Sequence, residues 1–423
     1  MLQLIETIAI IPTAALLLLV IAQWSIIIFG RRERFLPLKH PPISVLIPAH
    51  NEERYIGQTI DSLKGSGYPG KMEIIVTDDG STDNTPAILK RYSRRGLIRV
   101  FRTNHIGKSR AMNMMMKSAR NPIIVTVDGD TVIENGSLEK LVAPFSDSRV
   151  AASTGSMKEA NTNGGLLTWF QRLEYFGFSL LGDVCSRVGG MYCTAGTLSA
   201  FRKEVMVDLG GFDEKVLIED KDIGLKIVKG GLKISYVPEA VAYTYTPEKL
   251  GHLVRQRFRW AKGGIQVLKR HKELYLNTEH PGVGFFSLPF MSYWYFHSAV
   301  IILMFLQVSL GYGQYFLSNG VFFSADVVQY FFSWFSIFGA ISLAINNILG
   351  VWQATALSVL TILMVLLTYG MTIYSIIWSG EKPTARDVMA ICFMPPYWII
   401  TMAVNLASNI EWFRSPKQNK WKK

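Results

Sequence analysis

The sequence predicts an α/β domain inserted between transmembrane helices of a multi-pass membrane protein. Three observations predict it. Short β-branched runs alternate with helical segments in the middle of the chain, and long apolar runs flank them on both sides. Only 18% of the 423 residues are charged, beside 49% hydrophobic ones, where a soluble chain carries roughly 25% charged residues. The mean hydropathy of +0.22 points the same way, to lipid contact. Length allows about two to four domains at 100 to 200 residues each, and composition excludes a disordered tail, a collagen-like fibre and a small disulfide scaffold. The three cysteines, Cys185, Cys193 and Cys392, form no CxxC pair, so they read as buried thiols rather than a disulfide or zinc framework. No nucleic-acid partner is expected despite the net charge of +12, from 44 Lys plus Arg against 32 Asp plus Glu.

Residues 4 to 29 form the first apolar run, long enough for a hydrocarbon core that needs about 20 residues. No basic residue precedes it and no small-residue cleavage site follows, unlike a signal peptide. Arg31, Arg32 and Arg34 come directly after it, so the positive-inside rule places the N-terminus outside and the next segment in the cytoplasm.

The polar stretch that follows opens with Ile43–Ile47, Ile74–Val76 and Ile123–Val127, short runs typical of strands buried on both faces of a largely parallel sheet. Between the last two, Thr85 as N-cap, Pro86 at the first helical position and Gly96 as a stop punctuate a helix. The order β-α-β-α-β places a ligand site at the C-terminal strand ends. There the polar residues collect: Asn51, Glu52 and Glu53; then Asp78 and Asp79; then Asp128-Gly129-Asp130. A single Asp-Gly pair is ordinary turn chemistry, but carboxylates converging on one edge repel unless a cation or donor groups offset them. Asp128-x-Asp130 after an apolar strand suits Mg²⁺, which takes one or two protein carboxylates and completes its shell with water and phosphate oxygens. The implied substrate carries a diphosphate. Gly107-Lys108-Ser109 lacks the upstream glycine of a phosphate-binding loop of NTPases, yet Lys108 can reach phosphates as a point charge.

Glu219-Asp220 opens a helix that runs to about Lys229 and stops at Gly230-Gly231. The pair reads either as first-turn electrostatics or as a general base. Over residues 250–268, Leu250, Leu253, Val254, Phe258, Ala261, Ile265 and Leu268 share one side of a helix, and Gln256, Arg259 and Trp260 share the other. Trp beside Gln and Arg suits stacking on a sugar ring with binding of hydroxyls or phosphate; Arg255, Arg257 and Lys262 add positive charge. The same features suit a helix lying among anionic headgroups, with Gly263-Gly264 expected to bend it. Four further apolar runs, at about 285–310, 327–348, 353–379 and 388–410, make five expected spans, the one from Phe285 interrupted by Pro289. Arg414, Lys417, Lys420, Lys422 and Lys423 return the tail to the cytoplasm. The expected organisation is an anchor at 1–35, a cytosolic domain at 36–280 and a membrane bundle with a basic tail at 281–423, in the plasma membrane.

These residues resemble the processive, membrane-embedded family 2 glycosyltransferases, which include cellulose, chitin, hyaluronan and poly-N-acetylglucosamine synthases. The four landmarks stand in order: Asp79 in DDGSTD, Asp128-Gly129-Asp130 as the DxD, Ile218-Glu219-Asp220 for Thr-Glu-Asp, and Gln256-Arg257-Phe258-Arg259-Trp260 for QxxRW. The resemblance implies a GT-A fold, Asp79 near the uracil, Asp130 on Mg²⁺ or Mn²⁺, and Asp128 close to the ribose and metal. It also implies Asp220 as the base for the acceptor hydroxyl, Arg259 on the diphosphate and Trp260 on the terminal acceptor sugar, with Asn51, Glu52, Lys108, Glu219 and Gln256 as further substrate contacts. Ile218 replaces the usual threonine, which keeps the base and removes a hydroxyl. A single base with no partner nucleophile implies direct displacement with inversion. Residues Thr246–Gly264 are most similar to the poly-N-acetylglucosamine synthase branch, which implies a UDP-N-acetylglucosamine donor, a growing polysaccharide acceptor and room for an accessory secretion subunit. Two other readings stand beside it: a membrane glycosyltransferase that adds one sugar to a lipid, and a transport or regulatory protein that senses a UDP-sugar, which would predict a disabled base or metal motif.

Overall fold

Eight strands, β1 (Ile43–Ala49), β2 (Met72–Asp79), β3 (Arg99–Thr103), β4 (Ile123–Thr126), β5 (Thr131–Ile133), β6 (Val150–Glu159), β7 (Ser199–Arg202) and β8 (Lys233–Thr244), form one sheet. Their spatial order is β3-β2-β1-β4-β7-β6-β8-β5. The computed structural model describes residues 2–33, 35, 40–320, 327–328, 336–351 and 353–414. β2, β1 and β4 run parallel, as their apolar runs predict, and the unpredicted β3 joins them parallel to β2, but β7 pairs antiparallel with β4 and with β6, and β5 antiparallel with β8. The sheet is therefore mixed rather than largely parallel. Two strands are hard to read from sequence: β6 (VAASTGSMKE) is built from small and polar residues, and β3, at the edge of the parallel half, carries Arg99 and Arg102 in five residues.

The helices between strands are α2 (Ile56–Lys64), α3 (Thr85–Arg94), α4 (Lys108–Ser118), α5 (Ser137–Val142), α6 (Leu166–Arg187), α7 (Lys203–Asp208) and α8 (Glu219–Lys229), followed by α9 (Leu250–Arg270). Alternating residues of β1 face opposite layers: Ile43, Val45 and Ile47 pack with Ile60 and Leu63 of α2 and Leu89 of α3, while Leu46 packs with Met112 and Met115 of α4. The second layer continues through Ile223 of α8 and Val267 of α9 to Leu288, so one core runs from the sheet into the helices beyond it. In α3 the cap lies one residue earlier than expected, at Asn84. The Thr85 hydroxyl instead accepts from the Glu52 N–H at 2.8 Å.

α1 (Leu2–Phe29) precedes the sheet, and α10 (Leu288–Asn319), α11 (Phe338–Ile348), α12 (Ala356–Trp378), α13 (Ala385–Cys392) and α14 (Met394–Arg414) follow it. Among the described residues three helices are long and apolar enough to cross a membrane, in α1, Gly282–Asn319 and α12, or four if the pair α13 and α14, bent by 57°, is one span. The expected span 388–410 is thus broken, and the expected span 327–348 lies partly outside the described residues. Pro289 does not interrupt α10: it is the second residue of that helix, directly after a π-helical turn, Gly282–Ser287. The tail lysines also lie outside the described residues.

Ion pairs fasten these helices to the sheet domain. Arg187 of α6 donates to the Ile27 carbonyl in the last turn of α1 (2.9 Å), which has no partner inside the helix, and to the Gly30 carbonyl just past its end (3.2 Å). Arg172 of α6 pairs with Glu159 of β6 at 2.7 Å and with Asp387 of α13 at 3.0 Å. Lys158 reaches Glu381 at 2.8 Å.

Candidate active site

Parallel pairing puts the C-terminal ends of β2, β1 and β4 side by side, with Ala49 opposite Asp78 and Leu46 opposite Thr126. The three acidic clusters therefore share one edge, as their strand-end positions predict. The antiparallel β7 begins at that same edge, Ser199 opposite Thr126, and this brings in the preceding segment 190–198. Gly196 shows how near it comes: a Cβ there would lie 3.0 Å from Lys108 Nζ and 3.1 Å from Asp128 Oδ2. Thr194 donates its hydroxyl to the Asp220 carbonyl at 2.9 Å, fixing the first turn of α8.

Lys108, at the start of α4, lies 2.8 Å from Asp128 Oδ1 and 3.1 Å from Glu219 Oε1. One ammonium thus joins the DxD to the residue next to Asp220. Burial opposes its charge, but the two carboxylates hold its pKa above the usual lysine value. Arg259 is close enough for its charge to act against that of Lys108, which places the QxxRW helix beside the same cleft. Burial and the Asp128 carboxylate push the Asp130 pKa up to about 6. Burial and Glu219 likewise raise that of Asp220, whose Oδ1 accepts from the Lys221 N–H at 2.8 Å.

Asp79 is buried, and its carboxylate is used locally. It accepts from the Thr103 hydroxyl at 2.7 Å and from the N–H groups of Ile106 (2.6 Å) and Gly107 (2.8 Å); these bonds overcome burial and lower its pKa. It therefore shapes the 103–107 loop that delivers Lys108. Asn51 sits at φ +58° and its Oδ1 accepts from the Thr82 N–H at 2.8 Å, tying the end of β1 to the end of β2. Glu52 lies over the DxD glycine, its Cγ 3.1 Å from where a Gly129 Cβ would be.

The α9 wheel needs correction. Leu250 is exposed, whereas Arg257 and Lys262 are buried with Leu253, Ala261 and Val267. Trp260 is half-buried, with the Arg257 guanidinium 4.2 Å from its ring centroid and Phe178 at 6.3 Å. α9 runs unbroken through Gly263 and Gly264. They admit close neighbours, Ile218 within 2.8 Å of a Gly263 Cβ and the Tyr295 hydroxyl against Gly264. α6 was not anticipated at the site, yet it contributes Tyr175 and Phe178. Its signal was two charged residues, Arg172 and Glu174, inside an apolar run, LLTWFQRLEYFGFSLL.

No group of three or more His, Cys, Asp or Glu able to hold a metal occurs among the described residues. Asp128 and Asp130 fit a divalent cation whose other ligands are water and phosphate oxygens.

A model of the glycosyltransferase-like family 2 matches residues 40–263, just over half of the chain. The chain belongs to glycosyltransferase family 2. It is 31% identical over 255 residues to the poly-beta-1,6-N-acetyl-D-glucosamine synthase of Staphylococcus aureus (strain COL), covering 57% of this chain and 61% of the relative. To the probable glycosyltransferase YdaM of Bacillus subtilis (strain 168) it is 30% identical over 276 residues, 62% and 64%. The matches thus span less than two thirds of these relatives. The mannosyltransferase PcManGT from Pyrobaculum calidifontis, solved with GDP-Man and Mn2+, superposes with a TM-score of 0.62 at 20% identity over 96% of this chain and 98% of that one. That likeness extends over nearly the whole chain and supports the GT-A fold of its sheet domain.

Proposed function

We propose that this glycosyltransferase is a processive inverting enzyme that transfers sugar from a UDP-sugar, UDP-N-acetylglucosamine first, to a growing β-linked polysaccharide and passes the product across the membrane. The observation that carries the reading is the Lys108–Asp128–Glu219 cluster, which links the DxD to Asp220. Arg259 acts on the same cluster. The relative that makes poly-N-acetylglucosamine supports the choice of sugar, and the bound Mn2+ of the mannosyltransferase supports a divalent ion.

In this reading Asp128 and Asp130 hold Mg²⁺ or Mn²⁺, which would supply neutralisation of the diphosphate without a proton. Asp220 takes the proton from the acceptor hydroxyl, whose oxygen forms the new bond at the anomeric carbon as the bond to UDP breaks. Lys108 and Arg259 stabilise the charge that gathers on the leaving diphosphate. Asn51, Glu52 and Asp79 shape the nucleotide side, and Gln256 and Trp260 the acceptor side. One base with no covalent nucleophile inverts the anomeric carbon. α1 and the helices after residue 281 are taken to lie in the plasma membrane with residues 36–280 in the cytoplasm, and an accessory secretion subunit remains a candidate partner.

Asp220→Asn tests the assignment. It should abolish transfer while UDP affinity stays within a few fold; retained turnover places the base elsewhere. A second reading, addition of a single sugar to a lipid acceptor, uses the same donor chemistry and is separated from the first by the size of the product.

A further inference from the structure

Gln256, Arg259 and Trp260 are the residues of α9 that face substrate in the reading above, but a neighbour in the same helix holds two of them. Arg257 is 6% exposed. Its guanidinium donates to Gln256 Oε1 at 2.8 Å and to the Tyr397 hydroxyl of α14 at 3.0 Å, pairs with Glu174 of α6, and lies over the Trp260 ring. Tyr397 in turn donates to Glu174 at 2.7 Å, which closes a triangle of three side chains from three helices. With Arg257 covering one face of the indole, a sugar can stack only on the other. The planar, many-donor guanidinium is what lets one side chain do all of this; an ammonium is a point charge without the fork or the flat stacking surface.

We infer that Arg257 is a positioning residue for the acceptor: it orients Gln256 and Trp260 together, and Tyr397 sets that orientation by reference to α14, just past the 57° break in the membrane-side helices. The inference deepens the sugar-transfer reading and rests on it. Structural ion pairs between helices are common, and what distinguishes this one is that its guanidinium touches two residues of the motif itself.

The test uses full-length protein in liposomes, with UDP-N-acetylglucosamine as donor and a β-linked N-acetylglucosamine oligosaccharide as acceptor. Arg257→Lys, and Tyr397→Phe as the milder change, should raise acceptor KM by about tenfold, the size expected for loss of a hydrogen bond to a charged group. UDP affinity should stay within about twofold, since the donor side is untouched. In 5-fluorotryptophan-labelled protein, the ¹⁹F resonance assigned through Trp260→Phe should shift in both variants. UDP affinity falling in step with activity while acceptor KM is unchanged, or an unmoved Trp260 resonance, would overturn the positioning role. Wild-type protein that transfers no sugar would remove the functional reading, and the resonance would still decide whether Arg257 sets the indole.

Discussion

At Asp220 two influences act in the same direction. Burial disfavours the carboxylate, and the adjacent Glu219 adds repulsion, so the pKa stands above the 3.8 of an ordinary aspartate. A base must be deprotonated, and with a raised value its loss on acidification begins at higher pH. The acid limb of the kcat/KM profile of the wild-type enzyme is therefore expected above the ordinary aspartate range; a limb within or below that range would show that another group governs it. The residues of the acidic edge were legible because each follows an apolar strand directly. Their division of labour was not. Asp79 and Asn51 spend their side-chain oxygens on loop N–H groups, which depends on where residues 82 and 103–107 come to lie. Lys108 could be suspected from sequence as a phosphate contact, but its link to Glu219 spans 111 positions and exists only once the first residues of α4 and α8 meet.

At the level of elements, α8 and α9 meet through glycine. Ile218, which stands where relatives of the resemblance carry threonine, packs its Cγ2 and Cγ1 within 2.8 and 2.9 Å of a Gly263 Cβ. Gly263→Ala should therefore press on the turn that carries Glu219 and Asp220 and destabilise the fold by about 1–3 kcal/mol, as overpacking does. Ile218→Ala removes both clashing atoms, so the double variant should regain part of the melting temperature and activity lost by Gly263→Ala. Additive losses would mean that the helices do not meet there. From sequence the same glycines suggested a bend, because a helical wheel records which side a residue faces and not how close the next helix approaches. It likewise counted Arg257 only as added positive charge, since a buried arginine becomes intelligible only when Glu174 and Tyr397, 83 and 140 positions away, are known to meet it. α3, α8 and α9 themselves were legible within a residue or two, through Pro86, the Gly230-Gly231 stop and the apolar stripe.

Across the whole molecule, the sheet domain and the apolar helices share ion pairs that hold them in one arrangement. Arg172 is the hub, between Glu159, 1% exposed at its side chain, and Asp387, fully buried. Arg172→Ala leaves both acids without that guanidinium and should cost about 3–5 kcal/mol, the range for breaking a buried pair from one side. The check is thermal unfolding in detergent, where a melting temperature equal to wild type would contradict the network. The outline of a polar domain between apolar helices was readable from composition, and the parallel half of the sheet from its β-branched runs. The antiparallel return of β7 was not, because four residues, Ser199–Arg202, carry too little pattern to fix a direction, yet that return is what brings Gly196 and Thr194 to the site. The central claim is tested most directly by purified protein in liposomes with Mg²⁺ or Mn²⁺ and a panel of UDP-sugars, following UDP release and product size. A long polymer from one donor, absent with Asp220→Asn, is the predicted result; UDP release with only a lipid-extractable monosaccharide product would contradict processive synthesis.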